Sequence, residues 1–304
     1  MIISLTGGLG NQLFQMYAGL SFDNNQVKLT SKFGNPRKTC GLPDLLHFQL
    51  PYRVEVIPSE DKGIFSNKVG GLALRSGLLP NSNGKFFLPK FIINSTMDLY
   101  FSVTLKERVS TFSSAEVGLS SISPSGNKLV FGYFQTYKYF HALRTYDKEI
   151  SLKIKTQDFS HLKDMAKIER PVVVHIRLGD YVEEKHFGTL SLDYYSKALR
   201  KLGAESSTSP IWIFSDDSIN ALKLLPSELR GRFFVVPKEN LSPAETLELM
   251  RYGSAYVIAN SSFSWWAATL SYTEKAPVVA PEKWFAGMQD PRELLPSDWM
   301  TESR

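Results

Sequence analysis

The chain holds 304 residues at 34.3 kDa, more than one compact core usually spans, so two domains are expected. Hydrophobic residues at 43% and charged residues at 21% exclude a disordered chain. A single cysteine, Cys40, excludes an internal disulfide framework and a thiolate zinc site, and suits a reducing compartment. The sequence MIISLTGGLGNQ carries no basic leader, and no run of about 20 apolar residues occurs, so the expectation is a cytoplasmic protein. The net charge of +5 is unevenly placed: residues 1–110 hold twelve Lys/Arg against seven Asp/Glu, whereas 111–304 hold twenty-three of each. This basic first third suits peripheral association with the inner face of a membrane or attraction of an anionic substrate, and equally suits scattered solvated lysines. No Lys/Arg block resembles a nucleic-acid tract, so nucleic acid is not an expected partner.

In chain order, residues 1–6 read as a strand, 7–11 as a glycine turn opening a helix to about 20, and 27–30 as a second strand. Residues 34–89 are rich in Gly, Pro, Ser and Asn without a strong pattern. A Ser-rich loop at 113–125 precedes a strand at 129–134, and a linker is expected within 150–168. Beyond it, short β-branched runs at 171–177, 211–215, 233–236, 255–259 and 277–280 read as strands buried on both faces. Helical patterns at 192–202, 218–225, 244–252 and 264–270 separate them. Ser242-Pro243-Ala244-Glu245 gives one of these helices a cap, a proline at its first position and an acid in its first turn. Such alternation predicts a doubly wound parallel sheet.

Four segments carry side chains suited to chemistry. Gly7-Gly8-Leu9-Gly10-Asn11-Gln12 is a glycine turn at a helix start, where backbone N–H groups can approach an anion. It lacks the Gly-Lys-Ser/Thr of a P-loop and the third glycine of the dinucleotide fingerprint. The amides of Asn11 and Gln12 are expected to point into the interdomain space. His175-Ile176-Arg177-Leu178-Gly179-Asp180 leaves the carboxyl end of a strand, where open α/β sheets bind ligands. Arg177 suits a phosphate through its planar fork, and His175 and Asp180 could orient each other or handle a proton. A buried Arg177–Asp180 pair without chemistry is the bland alternative.

Asp216-Asp217 end the next strand; adjacent rather than spaced acids argue against a metal pair, and Asp217 capping the following helix is the plain reading. Asn260-Ser261-Ser262-Phe263-Ser264-Trp265-Trp266 opens a helix with hydroxyls and free amides, a seat for phosphate. The two tryptophans are expected to pack between helix and sheet.

Together, GGLGNQLFQ at 7–15, HIRLGDYV at 175–182, FSDD at 214–217 and NSSFSWWAA at 260–268 resemble the α-1,2-fucosyltransferases of glycosyltransferase family 11, in order and spacing over essentially the whole chain. The resemblance implies a GT-B-like α/β fold of two Rossmann-like domains facing across a cleft. Residues 1–150 would bind the acceptor and 151–304 would bind GDP-fucose. It implies inverting transfer of L-fucose from GDP-β-L-fucose to the 2-hydroxyl of a galactoside, in bacterial surface-glycan synthesis such as O-antigen, with no cofactor and no required metal. The partners would be GDP-fucose and a galactose-terminated glycan. A GDP-sugar-binding protein without turnover, and a fucosyltransferase of another linkage, are the alternatives.

Residue by residue, the resemblance implies that Arg177 holds the β-phosphate of the leaving GDP and that Ser262, Phe263 and Ser264 offer donors to the diphosphate. Asp216 and Asp217 match acids near the nucleoside, and Asn11, beside Gly10, matches an asparagine facing the donor. One departure stands out: many relatives carry a guanine-reading aspartate where this chain has Thr246, so either Glu245 substitutes by a one-residue shift or the base is read by backbone. For the general base Asp180 comes first by position, with His175, Glu183 and Glu184 open.

Overall fold

A computed structural model describes residues 1–33, 44–57, 90–114, 116–153, 155–179 and 186–304, with the backbone alone for 90–96. The chain divides into two compact units, Met1–Ser151 with Pro291–Leu294, and Leu152–Asp290 with Leu295–Arg304. The sequence reading assigned all of 151–304 to the second domain. Residues Pro291–Leu294 instead group with the first, where the Glu293 carbonyl accepts from Tyr137 N and Thr136 Oγ1 and the Arg292 carbonyl accepts from Leu119 N.

The first unit runs β1 (Ile2–Ser4), α1 (Leu9–Phe22), β2 (Val27–Thr30), β3 (Phe48–Gln49), β4 (Val54–Ile57), α2 (Lys90–Leu105), β5 (Ser110–Ser113), β6 (Lys128–Phe131), α3 (Tyr137–His141) and α4 (Thr145–Lys148). A short strand, β7 (Ser151–Leu152), ends it. Its sheet is parallel throughout, ordered β4-β2-β1-β6-β5. Ile3 stands opposite Leu29 on one side and Val130 on the other, and all three are buried. Helix α1 lies close on this sheet because Gly19 has no side chain: a Cβ there would meet Ile3 at 2.7 Å and Val27 at 2.9 Å. Arg53 ties the far end of α1 down. It pairs with buried Asp147 at 2.7 Å and donates to the carbonyls of Leu20, Asp23 and Asn25, so its buried charge is both neutralised and hydrogen-bonded.

The second unit runs α5 (Gln157–Glu169), β8 (Val172–Ile176), α6 (Leu192–Lys201), β9 (Ile211–Ser215), α7 (Ser218–Ala221), β10 (Phe233–Val235), α8 (Pro243–Met250), β11 (Ala255–Val257), α9 (Ser262–Thr269), β12 (Val278–Pro281) and β13 (Met300–Glu302). Its sheet, ordered β10-β9-β8-β11-β12-β13, is also parallel throughout. All five residues of β8 are buried, which explains its apolar run Val172–Val174 and encloses His175 with it. Thr156, Ser191, Ser242 and Ser261 cap α5, α6, α8 and α9 through their hydroxyls.

The five strands expected after residue 170 are all present, though each is shorter by one or more residues or displaced at an end, except 211–215. The expected linker at 150–168 is largely α5, and α2, β5, α3, α4, β7 and β13 carried no recognised pattern. The predicted helix 218–225 is only one turn of α-helix, Ser218–Ala221, followed by a 3-10 turn, Leu222–Leu224. Most of the pattern-poor stretch 34–89, and Cys40 within it, lies outside the described residues; its described part holds β3 and β4. Among the described residues no helix is long and apolar enough to cross a membrane.

Candidate functional site

In the second sheet the chain passes from β8 outward to β9 and from β11 outward to β12, in opposite directions. The carboxyl ends of β8 and β11 therefore open a crevice, the usual ligand position of such sheets. Residues 177–179 leave β8 there, and α9 begins just after β11. His175 is 6% exposed, with its ring 6.0 Å from that of Phe263 at the start of α9. Burial, with Arg177 adding to it and Asp216 opposing, pushes its imidazole down to about 3. His175 is thus neutral and a poor proton acceptor, which counts against it as the general base. Its Nδ1 has no partner among the described residues.

Arg177 stands one residue past the end of β8, with about a third of its side chain exposed. Its Nη1 lies 3.0 Å from Asp216 Oδ2, and Asp216 Oδ1 accepts from Leu178 N at 2.9 Å. Asp217 faces a different task. It caps α7, accepting from Asn220 N at 3.1 Å and Asn220 Nδ2 at 2.6 Å, and these bonds hold its carboxyl below the usual range. The capping expected of Asp217 is therefore present, and the two adjacent acids part company. A cavity of about 600 Å³ is lined by Gly179, Asp216, Asp217, Ser218, Ile219, Lys238 and Glu239. Lys238, on its lining, donates to the Asp216 carbonyl at 3.3 Å. Among the described residues no group of three His, Cys, Asp or Glu side chains is placed to hold a metal ion.

At the start of α9, Ser261 caps the helix with a long bond from Phe263 N, 3.4 Å. Ser262 and Phe263 are half-buried. Ser264, expected to offer a hydroxyl or backbone donor to a ligand, is fully buried and turns its hydroxyl back onto the carbonyls of Ala259 and Ser261. Trp265 and Trp266 are both at 0% exposure, ring centroids 4.7 Å apart, and serve packing as anticipated. Asn260 Nδ2 donates to the carbonyls of Phe187 and Gly188, so the start of α9 also holds the chain that returns toward α6.

Glu245 does not present itself to a base. It is 3% exposed, and its two oxygens accept from Thr156 N at 2.7 Å, Ser242 N at 3.0 Å and Ser242 Oγ at 2.8 Å. Burial pushes its carboxyl up, but these donors outweigh that and leave it lowered. It completes a capping box for α8 and ties in the start of α5. Thr246 bonds its own helix through Ser242 O at 3.0 Å, and neighbouring Glu248 is committed to Arg251 and Tyr272.

In the first unit, Gly10 and Asn11 lie in the first turn of α1, after a left-handed Gly7. Asn11 Oδ1 accepts from Gln135 Nε2 at 2.9 Å. Gln12 is turned inward rather than outward: it is 1% exposed, donates to Gly7 O and accepts from Leu45 N. Gln15 likewise joins Thr6 N to Gly132 O, bracing the ends of β1 and β6. Gln135, Gly179 and Lys238 were assigned no role from the sequence, although Gly179 lies inside HIRLGD and Gln135 inside the aromatic stretch 131–140. Asp180, Glu183 and Glu184 lie outside the described residues.

A model of glycosyl transferase family 11 matches residues 84–299. The O-antigen biosynthesis glycosyltransferase WbnK of Escherichia coli is 28% identical, covering 99% of this chain and 99% of its own. An alpha-1,2-colitosyltransferase of E. coli is 28% identical over 94% of this chain and 92% of its own. The crystal structure of a family 9 glycosyl transferase from Veillonella parvula superposes with a TM-score of 0.51 at 10% identity, covering 100% of this chain and 86% of that one. That likeness bears on fold alone, and the two parallel α/β sheets are of the GT-B class.

Proposed function

Since the chain belongs to glycosyl transferase family 11, we propose that it moves L-fucose from GDP-β-L-fucose to the 2-hydroxyl of a galactoside, in O-antigen or similar surface-glycan synthesis. The observation that carries this reading is the pairing, at one crevice, of a partly exposed arginine just past β8 with the amino end of α9 just past β11. GDP departing from a sugar gathers negative charge on its β-phosphate. A guanidinium fork and the N–H groups at the amino end of a helix stabilise that charge without reorganising. Arg177 would hold the β-phosphate, and the backbone of Ser262 and Phe263 would receive the diphosphate. The acceptor would meet the first unit, where Asn11 and Gln135 present a joined pair of amides. The relative named for colitose transfer makes a colitose-bearing donor the second reading. Release of GDP, measured with GDP-fucose and lactose or N-acetyllactosamine, tests the first. A donor preference for nucleotide-activated colitose would replace the sugar, and GDP binding without release would leave a binding protein.

A further inference from the structure

We propose that Asp216 is a positioning residue for Arg177, and that Gly179 is a glycine so that Asp216 can reach it. The role differs from the nucleoside contact that the family resemblance implied for Asp216, and it rests on the reading that Arg177 meets the β-phosphate. The sheet itself brings the pair together. Ile176 is in register with Ser215, so the next residue of each strand, Arg177 and Asp216, leave the sheet side by side. Past the strand end, Arg177 is held by side-chain contacts rather than by the ladder. Asp216 supplies one such contact and ties down the loop as well, with one oxygen 3.0 Å from the guanidinium of residue 177 and the other accepting from the backbone of residue 178 at 2.9 Å. The carboxylate therefore clamps the side chain of Arg177 to its own loop.

Gly179 shows why this arrangement needs its sequence. Its backbone is not in the left-handed region, so conformation does not demand glycine there. Space does: a Cβ would collide with Asp216 Oδ2, the same oxygen that pairs with Arg177, and would lie 3.2 Å from its Cγ. Asp216 is 14% exposed in its side chain while Arg177 is 35% exposed, so the acid is the more enclosed of the two and part of the arginine stays at the surface.

The test is a calorimetric titration of GDP and of GMP against the full-length protein and its Asp216→Asn, Gly179→Ala, Arg177→Ala and Arg177→Ala/Asp216→Asn variants. GMP lacks the β-phosphate. Asp216→Asn should weaken GDP by about tenfold or more, the scale of one bond to a charged group, and leave GMP unchanged. In the Arg177→Ala background it should cost nothing further. Gly179→Ala, which removes no polar group, should reproduce the GDP-selective loss, and it decides the matter alone if Asp216→Asn does not fold. Equal losses for GDP and GMP, or losses that add in the double variant, would overturn the positioning role and return Asp216 to the nucleoside. Wild-type protein that binds no GDP would reject the donor reading and the proposal together.

Discussion

His175 is the fourth of five buried residues in β8, and its imidazole is enclosed with the strand. Its ordinary value of 6.5 falls to about 3, chiefly through burial. Between those values the unfolded chain holds a proton that the folded chain refuses, so stability rises with pH across that window. Acidifying from neutral pH to about pH 5 should remove about 2 kcal/mol through this one group. Urea unfolding at both pH values would show it, and His175→Gln should flatten the slope; an unchanged slope would mean that other groups carry the acid sensitivity. Glu245 invites the complementary experiment. Its oxygens serve Ser242 and Thr156, so Glu245→Ala should cost about 2 kcal/mol of stability by leaving buried donors unmet. GDP affinity should stay within about twofold, less than the loss of a net hydrogen bond to a nucleobase would cause. A variant of wild-type stability with abolished GDP binding would restore the guanine-reading role.

Among the elements, α9 offers the sharpest separation of backbone from side chain. Proline is tolerated at the first helical position, and Ser261 before it is already extended, with φ −127° and ψ 127°, as a residue preceding proline must be. Ser262→Pro should therefore leave the helix intact while deleting one N–H from its exposed end. If a diphosphate sits there, GDP affinity should fall by about tenfold, whereas Ser264→Ala, whose hydroxyl already serves its own turn, should change little. Unaltered affinity in Ser262→Pro would move the phosphate elsewhere.

The same element shows what was legible in advance. β11 and α9 were readable because an apolar run meets a serine cap. Helix α5 was not: only Phe159, Leu162 and Ala166 are buried in its thirteen residues, a stripe too narrow to stand out from polar surroundings. Strand β13, Met-Thr-Glu, buries none of its three residues and is a strand only because β12 lies beside it. Within the candidate site, Arg177 and the start of α9 could be found from residue type and position. The Asp216 clamp could not, because it depends on the register of β8 against β9. Nor could the inward turn of Gln12 and Ser264, since both are decided by local hydrogen bonds.

At the scale of the molecule, length alone pointed to two compact units, but a division at one point in sequence misses Pro291–Leu294, whose backbone carbonyls are claimed by the first unit. The proposed leaving-group chemistry is concentrated in the second unit, where a cation and a helix end stand at one crevice. That arrangement sets the expectation for metal. A divalent ion beside a diphosphate is ordinarily held by carboxylates with free oxygens. Here Asp216 spends both oxygens on Arg177 and Leu178, and Asp217 spends both on Asn220. Recruiting either to a metal would break a clamp or a helix cap, and Arg177 already supplies the positive charge that the ion would bring. Transfer should accordingly persist in excess EDTA with about the same turnover, within the twofold that separates near-equal barriers. GDP release followed with and without chelator would measure this. Loss of activity that only Mn²⁺ or Mg²⁺ restores would show that the two acids release their partners when the donor binds, and would make them ligands.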